Sequence, residues 1–170
     1  GPRLQLYRNQ GDGPFEDATK AAGLYKTHLV MGCNFGDFDN DGWPDLFLGT
    51  GYPLYDAYEP NVAYRNDGKG RFDEVTFTMG VGHLPKGHGV SFGDVDNDGD
   101  QDVFVELGGF FPGDYFYNAL FVNPGHGRHW ITLKLEGTKS NRSAIGARLK
   151  VATAGGRTIY STVSSGSSFG

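Results

Sequence analysis

A chain that repeats itself in constant register has to fold as copies of one unit, and this chain repeats with an offset of 57 residues. Tyr7-Arg8-Asn9 returns as Tyr64-Arg65-Asn66, Phe15 as Phe72, and Thr19 as Thr76. Phe35-Gly36-Asp37 returns as Phe92-Gly93-Asp94, and Leu46-Phe47-Leu48 as Val103-Phe104-Val105. No insertion breaks the register over more than 40 positions. A third, weaker copy starts on schedule at Phe121-Val122-Asn123 with Gly125 and Gly127, then departs into His129-Trp130-Ile131-Thr132-Leu133-Lys134-Leu135.

Each unit reads as four short strands. One runs into an Asp-rich loop (29–36, then 88–93), and a second leaves it (45–49, then 102–107). A third ends in Tyr-Arg-Asn (62–66, with 118–122 its later equivalent). A turn such as Asp67-Gly68-Lys69-Gly70 leads into a fourth from Phe72. Asp-Gly pairs supply the positive φ that tight hairpins need. Only Asp17 to Leu24 has a helical look, worth one turn. The 28 Gly and 8 Pro among 170 residues fit short strands with many turns. The expected fold is all-β, built from propeller-type four-stranded blades, with a sandwich as the alternative. Residues 1–127 carry the repeats and 128–170 an incomplete β segment. Within the first part, a half blade at about 4–19 precedes two full blades at 29–76 and 88–135.

The chemistry is concentrated in the loops. Asp37-Phe38-Asp39-Asn40-Asp41-Gly42-Trp43-Pro44-Asp45 and Asp94-Val95-Asp96-Asn97-Asp98-Gly99-Asp100-Gln101-Asp102 share the pattern D-x-D-x-D-G-x-x-D. Its first six positions match the start of an EF-hand loop, with oxygen ligands at 1, 3 and 5 and Gly at 6. Position 7, Trp43 or Asp100, offers a backbone carbonyl, and Asp45 and Asp102 at position 9 replace the usual distal Glu. The flanks are strands, so these are not EF-hands. Carboxylates gathered within about 5 Å repel by roughly 3 kcal/mol per pair at an effective dielectric of 20, an obstacle a divalent ion removes. Calcium suits flexible oxygen-rich loops better than magnesium. Neither loop contains His or Cys, which disfavours zinc and copper. Two calcium ions are therefore expected, as staples rather than catalysts, because no acid or base accompanies them in sequence.

These loops also explain the net charge of −5. They hold nine acidic and no basic side chains, and elsewhere 15 basic residues outnumber 11 acidic ones. No basic stripe exists to match nucleic-acid phosphates, and no apolar run approaches the roughly 18 residues of a membrane span. Cys33 reads as a small buried hydrophobe on a strand. His28, His83, His88, His126 and His129 show no metal spacing. Tyr52, Tyr55 and Tyr58 lie between the second and third strands, either as a packed loop or as a carbohydrate or protein contact. Asn141-Arg142-Ser143 fits a glycosylation sequon.

The segment Phe35 to Leu46, with its copy Phe92 to Val103, resembles an FG-GAP/VCBS repeat, and Leu6 to Phe15 resembles the segment between such repeats. His129-Trp130-Ile131-Thr132-Leu133 with Gly137 to Ala147 resembles the opening of an ASPIC/UnbV domain. The combination is similar to bacterial relatives of the cartilage acidic protein family. It implies calcium-stabilised blades, an extracellular or surface setting, and no enzyme activity. The expected function is a structural or adhesion module. The alternative is a carbohydrate- or protein-binding propeller fragment of a larger secreted protein. A closed propeller needs at least four blades. The open edges are therefore expected to meet the rest of a longer protein or neighbouring copies, in the latter case growing a filament through segments near 1–10 and 160–170.

Overall fold

Side chains alternate between the two faces of a strand, so a sheet buried on both faces needs apolar residues at successive positions. The computed structural model, which describes residues 3–54, 58–84 and 86–165, shows where that condition is met. In chain order its strands are β1 (Tyr7–Arg8), β2 (Glu16–Asp17), β3 (Val30–Gly36), β4 (Asp45–Thr50), β5 (Val62–Asn66), β6 (Phe72–Glu74), β7 (Gly87–Gly93), β8 (Asp102–Leu107), β9 (Ala119–Phe121), β10 (Arg148–Ala152) and β11 (Thr158–Thr162). The architecture is all-β and every pairing among these strands is antiparallel. Among the described residues there is no helix, so none is long and apolar enough to cross a membrane. The segment from Asp17 to Leu24 makes one turn, closed by the Ala22 amide on the Ala18 carbonyl.

Blade 1 is the four-stranded sheet β3-β4-β5-β6 and blade 2 the three-stranded sheet β7-β8-β9. All of β4 is buried, and alternation divides it between two cores. Phe47, with Ala63 from β5, packs toward blade 2 against Val90, Val103, Val105 and Leu107. Leu46 and Leu48, with Val62 and Tyr64, turn the other way onto Ala22 and Leu24, flanked by Leu4 and Leu6. The short hairpin β1-β2 and the turn after it thus cover one face of blade 1, as the outer half of a preceding blade would.

The inner strands β3 and β7 lie against each other. A Cβ on Gly32 would fall 1.7 Å from the His88 carbonyl oxygen, so only glycine permits this approach. Two residues on, the Asn34 side-chain amide donates to the Val90 carbonyl at 3.0 Å. This arrangement corrects the reading of Cys33. The Gly32-Asn34-Gly36 face of β3 meets β7, which leaves Cys33 exposed on the opposite side.

The second blade also departs from the expected four strands. Near 129–135 no strand forms on the β9 edge. The chain crosses instead to the second Asp-rich loop, where the Trp130 indole lies so close that a Cβ on Gly99 would sit 2.0 Å from its Nε1. Beyond it, β10 and β11 pair as a two-stranded hairpin.

Candidate metal centre

Both Asp-rich loops connect the first two strands of their blade, β3 to β4 and β7 to β8, so they emerge at the same end of the stack. Their backbones are wound by one set of hydrogen bonds, repeated at the offset of 57. Asp37 accepts from the amides of Asp41 (2.9 Å) and Gly42 (2.6 Å), and Asp94 accepts from those of Asp98 (3.1 Å) and Gly99 (3.0 Å). Asp41 accepts from the Trp43 amide, and Asp98 from that of Asp100. Asp45 accepts from the amides of Phe38 (2.8 Å) and Asn66 (2.7 Å), and Asp102 from those of Val95 (2.8 Å) and Asn123 (2.8 Å). The tight winding needs left-handed residues. Asn40 and Asn97 take φ of 52° and 64°, and Gly42 and Gly99 take 79° and 92°.

This winding brings three carboxylates together in each loop. One oxygen from each of Asp37, Asp39 and Asp45 lies within 4.8 Å of the others, and Asp94, Asp96 and Asp102 repeat the arrangement. Asp39, Asp45 and Asp102 are buried. Burial pushes the Asp45 carboxyl up to about 7, and the charges of Asp39 and Asp37 add to the rise against the Asn66 and Phe38 amides. Burial likewise raises Asp37, and desolvation raises Asp96. Carboxyls raised above their ordinary values because like charges and low solvation surround them are a fit for a hard divalent cation, which would offset both.

The other four expected ligands lie in the same loops, Asp41 and Asp98 offering side chains and Trp43 and Asp100 backbone carbonyls. Asp41 and Asp98 turn a carboxylate oxygen to their own loop amides. Asp100 is buried and accepts a hydrogen bond from the Asn40 side chain. Trp43 keeps its ring half-exposed under the Arg157 guanidinium, 4.9 Å from the ring centre.

Contacts between the loops were not legible in the pattern. Asn40 of the first also donates to the Gly99 carbonyl of the second at 2.9 Å. The Asp37 amide donates to the Gln101 side chain at 2.8 Å. Asn123 donates to the carbonyls of Phe38 (2.7 Å) and Gln101 (3.2 Å), and so ties β9 to both loops. Arg128 approaches only the first loop, 3.4 Å from Asp39 and 3.9 Å from Asp41. The signal that could have revealed Asn66 and Asn123 was present, since Tyr-Arg-Asn is itself part of the repeat.

Other predicted positions lie elsewhere. Tyr52 and Tyr58 are exposed on the β4–β5 loop, and Tyr55 lies outside the described residues. The Asn141 side chain closes a turn, donating to the Ile145 carbonyl at 2.9 Å through the nitrogen a glycan would occupy. His28 does meet polar partners, with Glu59 at 2.5 Å and the buried Tyr64 hydroxyl at 2.7 Å on its two nitrogens.

A family described as FG-GAP-like repeat matches residues 2–48 and 51–105, which include both loops. No curated protein matches the chain.

Proposed function

The chain belongs to the FG-GAP-like repeat family, and from that premise we propose that it is a non-enzymatic structural or adhesion module, stapled by two calcium ions and working outside the cell. The observation that carries this reading is the duplicated frame: two carboxylate trios, each wound by the same bonds and each anchored to the third strand of its blade by Asn66 or Asn123. Asp37, Asp39 and Asp45 hold one ion, and Asp94, Asp96 and Asp102 the other. An ion at either place joins the strands on each side of the loop and neutralises carboxylates that otherwise repel. Calcium is favoured because the donors are all oxygen and because the loops leave room for further carbonyl or water ligands. The extracellular setting is supported by the family, whose repeats are typical of extracellular or surface proteins, and suits a calcium staple.

The residues from 128 onward extend the reading. Their sequence resemblance to the opening of an ASPIC/UnbV domain, and through it to the cartilage acidic protein family, fits a β-hairpin following the blades. An assembly role is supported by the outer face of blade 2, where Phe104, Leu120 and Val122 are exposed, and by the two-stranded hairpin, which is marginal alone. Either another part of a longer protein or a neighbouring copy covers them. The terminal segments proposed for edge pairing include residues 1–2 and 166–170, which lie outside the described residues. Sedimentation in calcium tests assembly, and a well-folded particle of monomer mass at all concentrations excludes it for this chain.

The metal reading is tested by chelation. An ion that binds only the folded state at a hundred times its Kd stabilises it by about 2.7 kcal/mol. Removing two such ions should lower the melting temperature by roughly 10–20 °C in a chain of this size. Asp39→Ala should reproduce part of that loss and leave one calcium per chain in isothermal titration. An identical melting curve with and without chelator sinks the proposal.

A further inference from the structure

Away from the Asp-rich loops, the β4–β5 and β8–β9 connections occupy equivalent places in the two blades, residues 51–61 and 108–118. Each is closed by the same bond. The Asn61 side chain accepts from the Thr50 amide at 3.2 Å, and the Asn118 side chain from that of Leu107 at 2.9 Å. Both are rich in aromatic residues displayed to solvent. Tyr52 and Tyr58 are about half exposed, whereas Tyr115 and Tyr117 are 85 % and 97 % exposed. Phe110 stands beside Phe111 in an edge-on pair with ring centres 5.0 Å apart.

The two loops are held together from beneath. Lys86 is buried, and its ammonium donates to the Asp114 carboxylate at 2.5 Å and to the Pro53 carbonyl at 3.4 Å. Asp114 accepts in turn from the Phe110 amide at 3.2 Å. This ammonium and its hydrogen bond hold the Asp114 carboxyl below its ordinary range. One buried ion pair therefore links Pro53 of the first connection to Asp114 and Phe110 of the second, and breaking such a pair from one side is strongly destabilising.

We propose that Tyr52 and Tyr58 of the β4–β5 connection, with Tyr115 and Tyr117 of the β8–β9 connection, form one aromatic platform that binds a neutral polysaccharide. Charge argues for neutrality. The two loops contain no Lys, Arg or His, so they offer nothing to a phosphate, sulfate or uronate. Of their three acids, Asp114 is spent on Lys86, Glu59 on His28 and the Leu29 amide, and Asp56 lies outside the described residues. The display of the rings argues for a sugar. Anchor residues at protein interfaces sit in packed pockets, while Tyr115 and Tyr117 stand clear of their neighbours. A free ring face with negative quadrupole attracts the polarised C–H bonds on the flat side of a pyranose, and the phenol tip meets its hydroxyls. Tyr supplies this contact with little conformational entropy to lose.

Native gel electrophoresis in calcium, with hydroxyethylcellulose, mixed-linkage β-glucan, galactomannan, xylan or alginate cast into the gel, tests the platform. At least one neutral polysaccharide should retard the protein relative to a non-binding reference, and alginate should not. Tyr115→Ala with Tyr117→Ala should weaken that retardation about tenfold at an unchanged melting temperature. Tyr58→Ala, on the other loop, should weaken it in part. Failure of every neutral polysaccharide to retard the chain overturns the proposal. So does retardation by alginate, or retardation equal in the wild type and the double variant.

Discussion

Blade 1 and blade 2 are copies of one unit, yet blade 1 is covered on both faces and blade 2 on one. Phe47 and Phe104 occupy the same place in β4 and β8. Phe47 is fully buried between the blades, and Phe104 is 41 % exposed. Phe104 pairs across the sheet with Leu120, and Val122 follows, so the three form an apolar strip on an open face. The inner faces show no such difference, because Val103 and Val105 meet Phe47 and Ala63 directly. The difference teaches that a blade's sequence is written for two neighbours whether or not both are present. Apolar residues on the outside of blade 2 therefore point to a covering surface.

The largest expected effect comes from that pair of phenylalanines. Phe47→Ala should cost about 3–5 kcal/mol in urea unfolding, the usual range for deleting a buried ring. Phe104→Ala should cost less than about 1 kcal/mol in the dilute monomer, since much of its ring is already wet. Equal costs at low concentration would mean that something covers blade 2 in solution, and the comparison would fail. Costs that converge only as concentration rises would sharpen it, by identifying the cover as another copy.

The next effect separates the metal loops by pH. Asp45 has its carboxyl raised to about 7 by burial, above the ordinary value of 3.8. A raised folded-state value favours the protonated form, so the contribution is present in full below the ordinary value and is lost as pH rises through about 7. In chelator the urea midpoint should therefore fall between pH 4 and 7.5, by the equivalent of roughly 2–4 kcal/mol. Asp45→Asn should flatten much of that fall, and saturating calcium should reverse it, because the ion takes the place of the proton. A chelated protein whose midpoint is constant over this window contradicts the account of Asp45.

How much of this was legible follows from where the forces act. Local chemistry was readable: the D-x-D-x-D-G pattern marked both loops, the turn glycine at the sixth position and the flanking strands, and constant register marked the repeat units. Partnership between blades was not. Cys33 looked like a core residue because strand alternation does not say which face is covered, and the glycine face of β3 took that place. Residues 131–135 read as a strand, yet Trp130 packs on Gly99 and draws the chain off the β9 edge. The pattern assigned Asp41, Trp43, Asp98 and Asp100 to the metal by analogy of position. Asp41 and Asp98 accept from loop amides as the trio members Asp37 and Asp45 also do, and the contribution expected of Trp43 and Asp100 is a backbone carbonyl, which the contacts of their side chains do not decide. The second aromatic loop was overlooked because its Phe and Tyr spacing differs from that of the first.

A third effect tests the anchoring asparagines. Asn66 bonds to its own blade, through Asp45 and the Pro44 carbonyl. Asn123 does the same for Asp102 and Gln101 and reaches across to Phe38 as well. The backbone amides keep their bonds to Asp45 and Asp102 in either variant. Asn66→Ala therefore loses the side-chain bonds to Pro44 and Gly68 and should cost about 2 kcal/mol, while Asn123→Ala loses those to Phe38, Gln101 and Gly125 and should cost about 3 kcal/mol, at about 1 kcal/mol per bond. Equal costs would mean that the bond between blades adds nothing.

The smallest effect concerns Arg128, which forms ion pairs with carboxylates of the first loop. Its guanidinium lies 3.4 Å from Asp39 and 3.9 Å from Asp41, and its side chain is nearly half exposed. The second loop has no such ion pair among the described residues. A positive charge at this distance opposes a second cation in the first trio, and solvent screening keeps the opposition small. An exposed pair is worth about 0.2–1 kcal/mol, which corresponds to a change of about 1.4-fold to 5-fold in affinity. Arg128→Gln should therefore tighten calcium binding at the first loop by that factor and leave the second unchanged. Isothermal titration of Arg128→Gln in an Asp96→Ala background reads the first loop alone, and in an Asp39→Ala background the second. Raising the salt concentration should erase the gain, because screening removes the same repulsion the substitution removes. A gain at both loops would assign Arg128 a general effect on net charge. A loss at the first would mean that the guanidinium orients Asp39 for the ion, and the two loops would then differ in how their ligands are held.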